Sequence, residues 1–215
     1  MPRLRQIKLF DKDGSVTGVG KSMGLGAVRK IAQSQIDKNT EFKRHTLNIS
    51  TTVDSTGTCT SLSTIGQGDS STTRDGEKIV LRKLKLRYNV LPADSTNLVR
   101  FIIFRWMPND NDHVPVPADV LLNVGDSSAP LSSYQPQFRD LIKVYYDKVV
   151  PVDTTSVTQR YHTINLSKKL GLHKTVYQGS NTYGSKNLWM LAISDSDGVS
   201  HPSYRMYGLL RFTDA

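Results

Sequence analysis

Three absences narrow the field before any residue is given a task. No apolar run in the 215 residues approaches the roughly 20 needed to cross a bilayer as a helix. The opening stretch MPRLRQIKLF also lacks the uninterrupted apolar core of a secretory signal. No membrane partner is therefore expected, and the mature chain is expected to be this one. The single cysteine, Cys59, excludes an intramolecular disulfide framework, fits a reducing compartment and reads as a small half-buried residue. The five histidines, His45, His113, His162, His173 and His201, show neither HxH nor HExxH spacing, which argues against a zinc or cupin-type metal site. Asn48-Ile49-Ser50 and Asn165-Leu166-Ser167 match glycosylation acceptors, but both fall inside expected strands of a chain without a secretion signal and are discounted.

What is present in excess is positive charge. There are 28 Lys and Arg against 19 Asp and Glu, a net +9, with a pI near 9.6. Such a balance suggests a polyanionic partner without saying anything of the fold. Its position says more. Residues 1–38 carry Arg3, Arg5, Lys8, Lys12, Lys21, Arg29, Lys30 and Lys38 against Asp11, Asp13 and Asp37, so over half of the excess lies in the first sixth of the chain. Gly14, Gly18, Gly20, Gly24 and Gly26 interrupt this stretch, and residues 1–41 read as a mobile, basic N-terminal arm with a short helix over Ala27–Ile36.

From Glu41 onward the texture changes to short Val-, Ile-, Leu-, Thr- and Tyr-rich runs divided by Gly, Pro, Asp, Asn and Ser clusters. Eight strands are expected, over about 42–53, 78–90, 98–107, 138–150, 157–168, 173–178, 187–194 and 203–213, with a minor extended piece at 58–65 and a short helix over Pro117–Asn123. Crossover helices are lacking. Residues 42–215 are therefore expected to be one all-β domain, an eight-stranded antiparallel jelly-roll sandwich of two Greek keys. Leu84, Leu86, Tyr88 and Val90 share one face of their strand, with Lys83, Lys85 and Arg87 on the other, a pattern that usually means a solvated edge and less often a surface for nucleic acid. Two other runs, Val99–Phe104 and Leu188–Ile193, are apolar on both faces, which places them centrally or under a partner chain. The connections Met107–Val116 and Gly125–Pro136 are expected to be exposed.

Several ordered blocks carry a resemblance. Ile65-Gly66-Gln67-Gly68-Asp69-Ser70 is followed by Arg74-Asp75-Gly76-Glu77-Lys78-Ile79 and a basic strand. Later come Val99–Trp106, Tyr145-Tyr146-Asp147-Lys148, Lys168-Lys169, Tyr177-Gln178-Gly179, Asn187-Leu188-Trp189 and Arg211-Phe212-Thr213-Asp214-Ala215. Over roughly residues 46–215 the series resembles the coat proteins of circular Rep-encoding single-stranded DNA viruses. Similar single jelly rolls occur in satellite viruses of the tobacco necrosis type. The resemblance implies a shell of about 60 copies with the arm turned toward the genome. It also implies a virion, single-stranded nucleic acid that is DNA rather than RNA, and, as for any virion, a host-cell receptor. The arms would supply on the order of 300 charges, fewer than a genome carries, so inward-facing strand cations must contribute. Lys43, Arg44 and His45 on the first strand and Arg205 and Arg211 on the last are the candidates, because these two strands lie in the inner sheet of such shells. Many related coats begin with a dense Arg block that doubles as a nuclear import signal. This arm is dilute, so passage through the host nucleus is the weakest part of the resemblance.

Two other readings compete. Ser15-Val16-Thr17-Gly18-Val19-Gly20-Lys21-Ser22 nearly matches the phosphate loop GxxxxGK[ST], and Asp195 ends an apolar strand as a magnesium ligand would, but such a loop needs a parallel sheet with helical crossovers. A jelly-roll binding module such as a lectin is the other. No catalytic residues and no cofactor are assigned; Asp195-Ser196-Asp197-Gly198 reads as a turn, with calcium at subunit contacts as its alternative.

Overall fold

The computed structural model of the chain describes residues 6–10, 16–21, 41–108, 113–154, 160–170, 173–198 and 200–214. It divides into two units, residues 1–41 and 42–215. In the first, strand β1 (Gln6–Phe10) pairs antiparallel with β2 (Val16–Lys21). This pairing runs through Gly18 and Gly20, positions at which the sequence suggested a break. It also lays Val16–Lys21, the described part of the would-be phosphate loop, out as a strand, where nucleotide binding would need a turn. The expected helix over 27–36 lies outside the described residues.

The second unit is the expected sandwich. Strands β3 (Lys43–Thr52), β4 (Thr58–Ser61), β5 (Lys78–Leu91), β6 (Thr96–Trp106), β7 (Ile142–Asp153), β8 (Arg160–Asn165), β9 (His173–Val176), β10 (Asn187–Ser194) and β11 (Ser203–Asp214) form two sheets. One has the order β4-β10-β6-β7; the other runs β3-β11-β5-β8, with β9 also pairing β5. The pairs β3·β11, β4·β10, β5·β8/β9 and β6·β7 nest inside one another like a single long hairpin rolled up, which is the jelly-roll topology.

The strand count of eight holds by position, but not with the expected members. β8 and β9 lie end to end along β5, facing Lys85–Val90 and Lys78–Leu81, so two expected strands fill one place. The minor piece at 58–65 fills the vacant one as β4, against Trp189–Ala192 of β10. The strand expected at 138–150 starts later, because Pro136–Leu141 is a 3-10 turn, and the expected helix over Pro117–Asn123 is a single turn, Pro117–Val120.

Alternation builds the main core. Leu84, Leu86, Tyr88 and Val90 of β5 and Tyr204, Met206, Leu210 and Phe212 of β11 meet Val99, Phe101, Ile103, Leu188, Met190 and Ala192 of the other sheet. Gly208 completes the β11 stripe, and a Cβ there would stand 2.3 Å from Leu86 Cδ2 and 3.2 Å from the Lys85 carbonyl. The position accepts Leu86 only because it has no side chain.

The two-sided strands are covered by their own chain. Ile102, Phe104 and Trp106 of β6 and Trp189, Leu191 and Ile193 of β10 form a second core with Val120, Leu121 and Ala129 of the β6–β7 connection. Part of the Gly125–Pro136 loop, expected to be exposed, is therefore buried: Ala129, Pro130 and Ser132 lie under this layer. Arg100 clamps it down, donating through Nη1 to the carbonyls of Pro130 (3.2 Å) and Ser132 (2.6 Å) and forking onto Asp147 at 2.8 and 2.7 Å. The Trp106 indole donates to the His113 carbonyl at 2.7 Å at the far end.

Arg74 joins the loops at one end of the sandwich. It is fully buried. Its guanidinium donates to four carbonyls, of Ile65 (3.2 Å), Gly76 (2.8 Å), Gly179 (2.6 Å) and Asn181 (3.3 Å), and lies 4.1 Å from the centre of the Tyr177 ring. The Ile65–Ser70 and Tyr177-Gln178-Gly179 blocks are thus two halves of one structural joint. Substituting Arg74→Met should leave these carbonyls without their donor and cost at least about 3 kcal/mol. Arg74→Lys should recover only part of this, since a point-like ammonium cannot fork. Chemical denaturation of the two variants checks both expectations.

Candidate nucleic-acid interface

Every second residue of the β3-β11-β5-β8 sheet points away from the core, and registry puts these residues in rows. Arg211 stands between Arg44 and Lys83; Leu209 between Thr46 and Lys85, with Asn165 beyond; Tyr207 between Asn48 and Arg87, with Thr163 beyond; Arg205 between Ser50 and Asn89, with Tyr161 beyond. Arg44, Lys83, Lys85, Arg87, Arg205 and Arg211 are all exposed. These rows hold six cations and no carboxylate. Adjacent strands lie about 4.8 Å apart, and like charges directly opposite one another are destabilising. The Arg44–Arg211–Lys83 row is therefore a repulsive arrangement that no acidic neighbour in the rows relieves, and a polyanion laid on the face would relieve it. Beside the first two rows, Lys83, Lys85, Asn165, Ser167, Leu209 and Arg211 line a depression of about 390 Å³.

The sequence-predicted site residues divide. Arg44, Arg205 and Arg211 lie on this face as expected. Lys43 does not: it points to the opposite side, is 3% exposed, and its ammonium pairs with Asp75 and, at 3.0 Å, with Asp214. Burial opposes its charge, but the hydrogen bonds and charges of the two carboxylates outweigh that and hold the ammonium above its ordinary range. Lys43 is a structural tie between the start of β3, the Arg74 loop and the end of β11, and it is withdrawn as a nucleic-acid ligand. His45 is half-buried, and burial lowers its imidazole. Of the arm cations, Lys8 stands opposite Val19 and Lys21 opposite Gln6 in the β1–β2 pair; Arg3, Arg5, Lys12, Arg29, Lys30 and Lys38 lie outside the described residues.

Lys83, Lys85 and Arg87 were legible as a row of cations, but the sequence favoured a solvated edge. The structure puts β5 between β11 and β8, inside the sheet. The signal that could have singled them out is their alternation combined with that of Arg205, Tyr207, Leu209 and Arg211, once the two strands are known to be neighbours.

Other chemistry stays dispersed. His113 Nε2 pairs with Asp119 at 2.7 Å, His201 Nδ1 lies 3.1 Å from Ser196 Oγ, and His162 packs on the Tyr88 ring. Among the described residues, no three His, Cys, Asp or Glu side chains are grouped to hold a metal; Asp195 and Asp197 share a shallow loop depression with Asp94. Burial first, and the charge of Asp119 second, push the Cys59 thiol up to about 12, so it is not a nucleophile at neutral pH.

Residues 19–215 match the family model of the satellite tobacco necrosis virus coat protein. The chain belongs to that family. It is a viral coat protein, and its place is the virion. Among solved structures it is similar to Desmodium yellow mottle tymovirus, at 8% identity and a TM-score of 0.42, covering 81% of this chain and 88% of that one. It is similar to turnip yellow mosaic virus at 11% identity and a TM-score of 0.42, covering 82% of each chain. For infectious bursal disease virus, Gx strain, the figures are 9% and 0.31, covering 98% of this chain and 38% of that one. No curated protein matches the chain.

One buried group of this coat protein makes its stability depend on pH. His173 Nε2 donates to the Lys186 carbonyl (2.6 Å), and its Nδ1 accepts from the Tyr145 hydroxyl (2.8 Å). Burial pushes its imidazole down to about 4; the hydrogen bond to Lys186 works against this, and the charges of Arg105, Lys143 and Lys186 work with it. Between pH 6.5 and 4 the unfolded chain takes up a proton that the folded chain refuses, so stability falls as pH falls through that window, by on the order of 3 kcal/mol. His173→Gln should be less stable at pH 7 yet show a flatter pH dependence between 6.5 and 4, measured by urea unfolding.

Proposed function

We propose that this coat protein closes a shell of about 60 copies around single-stranded nucleic acid, with the face bearing Arg44, Lys83, Lys85, Arg87, Arg205 and Arg211 turned to the interior. The observation that carries the reading is the six-cation, carboxylate-free set of rows on a domain of a coat-protein family. The arm cations Arg3, Arg5, Lys8, Lys12, Lys21, Arg29, Lys30 and Lys38 add to the same charge, and arm and face together approach a genome's demand more closely than the arms alone. The ordered blocks resembling circular Rep-encoding viruses support DNA as the packaged strand. Contact with phosphates dominates, so affinity falls steeply with salt and depends little on sequence.

Purified protein should contain particles near 20 nm, the size expected when about 60 domains of this length close a shell. Nucleic acid released from them should resist nuclease before disassembly and be digested by single-strand DNase afterwards. Digestion by RNase instead would move the packaged strand to RNA. Monomers or trimers at every salt concentration and pH tested would overturn the reading in favour of a jelly-roll binding module.

Two variant classes separate arm from face. Removing residues 1–38 should permit assembly and lower the nucleic-acid content. Lys83→Glu with Lys85→Glu, both at exposed positions, should lower the content further without loss of thermal stability. Unchanged content in the second variant, read from the ratio of absorbance at 260 and 280 nm, would remove the sheet face from the packaging role.

A further inference from the structure

The cationic face also carries aromatic rings that charge neutralisation does not need. Tyr207 lies mid-strand on β11 and is 58% exposed, between Asn48 and Arg87. Tyr161 at the β8 edge is 76% exposed, in the row of Arg205 and Asn89. A large ring left in water at the centre of a sheet gains little from packing. Two residues along β11, about 7 Å away, Leu209 enters the wall of the depression lined by Lys83, Lys85, Arg211, Asn165 and Ser167. Three cations, an amide and a hydroxyl converge there, which suits the oxygens of a phosphodiester. Aromatic faces beside a cationic groove are the means by which proteins hold unpaired bases without reading their sequence.

We propose that this part of the sheet is a nucleotide seat, in which a phosphodiester lies in the Lys83–Lys85–Arg211 depression and a neighbouring unpaired base stacks on the Tyr207 ring. The seat rests on the packaging reading above and adds to it a preference for strands with exposed bases. Duplex nucleic acid keeps its bases stacked internally and can offer the seat only phosphates. A shell lined with such seats therefore favours unpaired segments over paired ones at equal charge.

The test uses the full chain and two labelled oligodeoxynucleotides of about 12 residues, one of thymidine and one abasic with the same phosphates, followed by fluorescence anisotropy across a salt series. The thymidine strand should bind at least about five-fold more tightly than the abasic one. Tyr207→Ser should abolish most of that ratio while leaving the slope of log affinity against log salt unchanged, and Tyr207→Phe should preserve both. Lys83→Ala with Lys85→Ala should do the reverse, flattening the slope and keeping the ratio. Equal binding of the two strands by the unaltered protein, or a ratio that survives Tyr207→Ser, overturns the seat and leaves packaging by charge standing. Failure of both strands to bind at low salt overturns both readings together.

Discussion

The constraint that shapes the rest of this coat protein is that Phe101–Phe104 of β6 and Leu188–Ile193 of β10, the two middle strands of the β4-β10-β6-β7 sheet, are apolar on both sides. One side is met by the other sheet and forms the main core. The other is met by the β6–β7 connection, with Val120, Leu121 and Ala129 laid on Ile102, Phe104, Trp106, Trp189, Leu191 and Ile193. With that layer in place, the outer face of the β3-β11-β5-β8 sheet is left to water. It is there that the cations stand, because alternation along β5 and β11 gives each inward apolar residue an outward neighbour with no packing role.

The joints that hold the sandwich ends are made of charge turned inward. Arg74 serves backbone carbonyls from two loops, and Lys43 ties Asp75 to Asp214. Buried cations of this kind are tolerated because their donors are satisfied. The cations of the sheet face, by contrast, are exposed and available to a partner, so two populations of basic residue, alike in composition, do different work. Arg100 belongs to the first population as well: its fork onto Asp147 and its two bonds to the loop backbone fix the layer that closes the second core.

Much of the fold was legible in the sequence. Inward Leu84, Leu86, Tyr88 and Val90 against outward Lys83, Lys85 and Arg87 follow from a period of two, and the two-sided runs announced buried strands. What covers those runs was not legible, because Val120, Leu121 and Ala129 lie in a connection with no regular period. Nor could the sequence show that β8 and β9 share one edge of β5, leaving room for the four residues of β4 beside β10. Of the candidate interface, Arg44, Arg205 and Arg211 were found from the resemblance. Lys43 was misplaced because its burial depends on Asp75 and Asp214, which only the fold brings to it. Tyr207 was passed over because a lone tyrosine in an alternating strand has no meaning until its neighbours across the sheet are known.

Which way the cationic face points is decided by an electron cryomicroscopy reconstruction of assembled particles at a resolution that traces β5 and β11. The expected result is a closed shell in which Lys83, Lys85, Arg205 and Arg211 face the lumen, with nucleic-acid density against them. A shell in which this face points outward, or is covered by a neighbouring subunit, would contradict it.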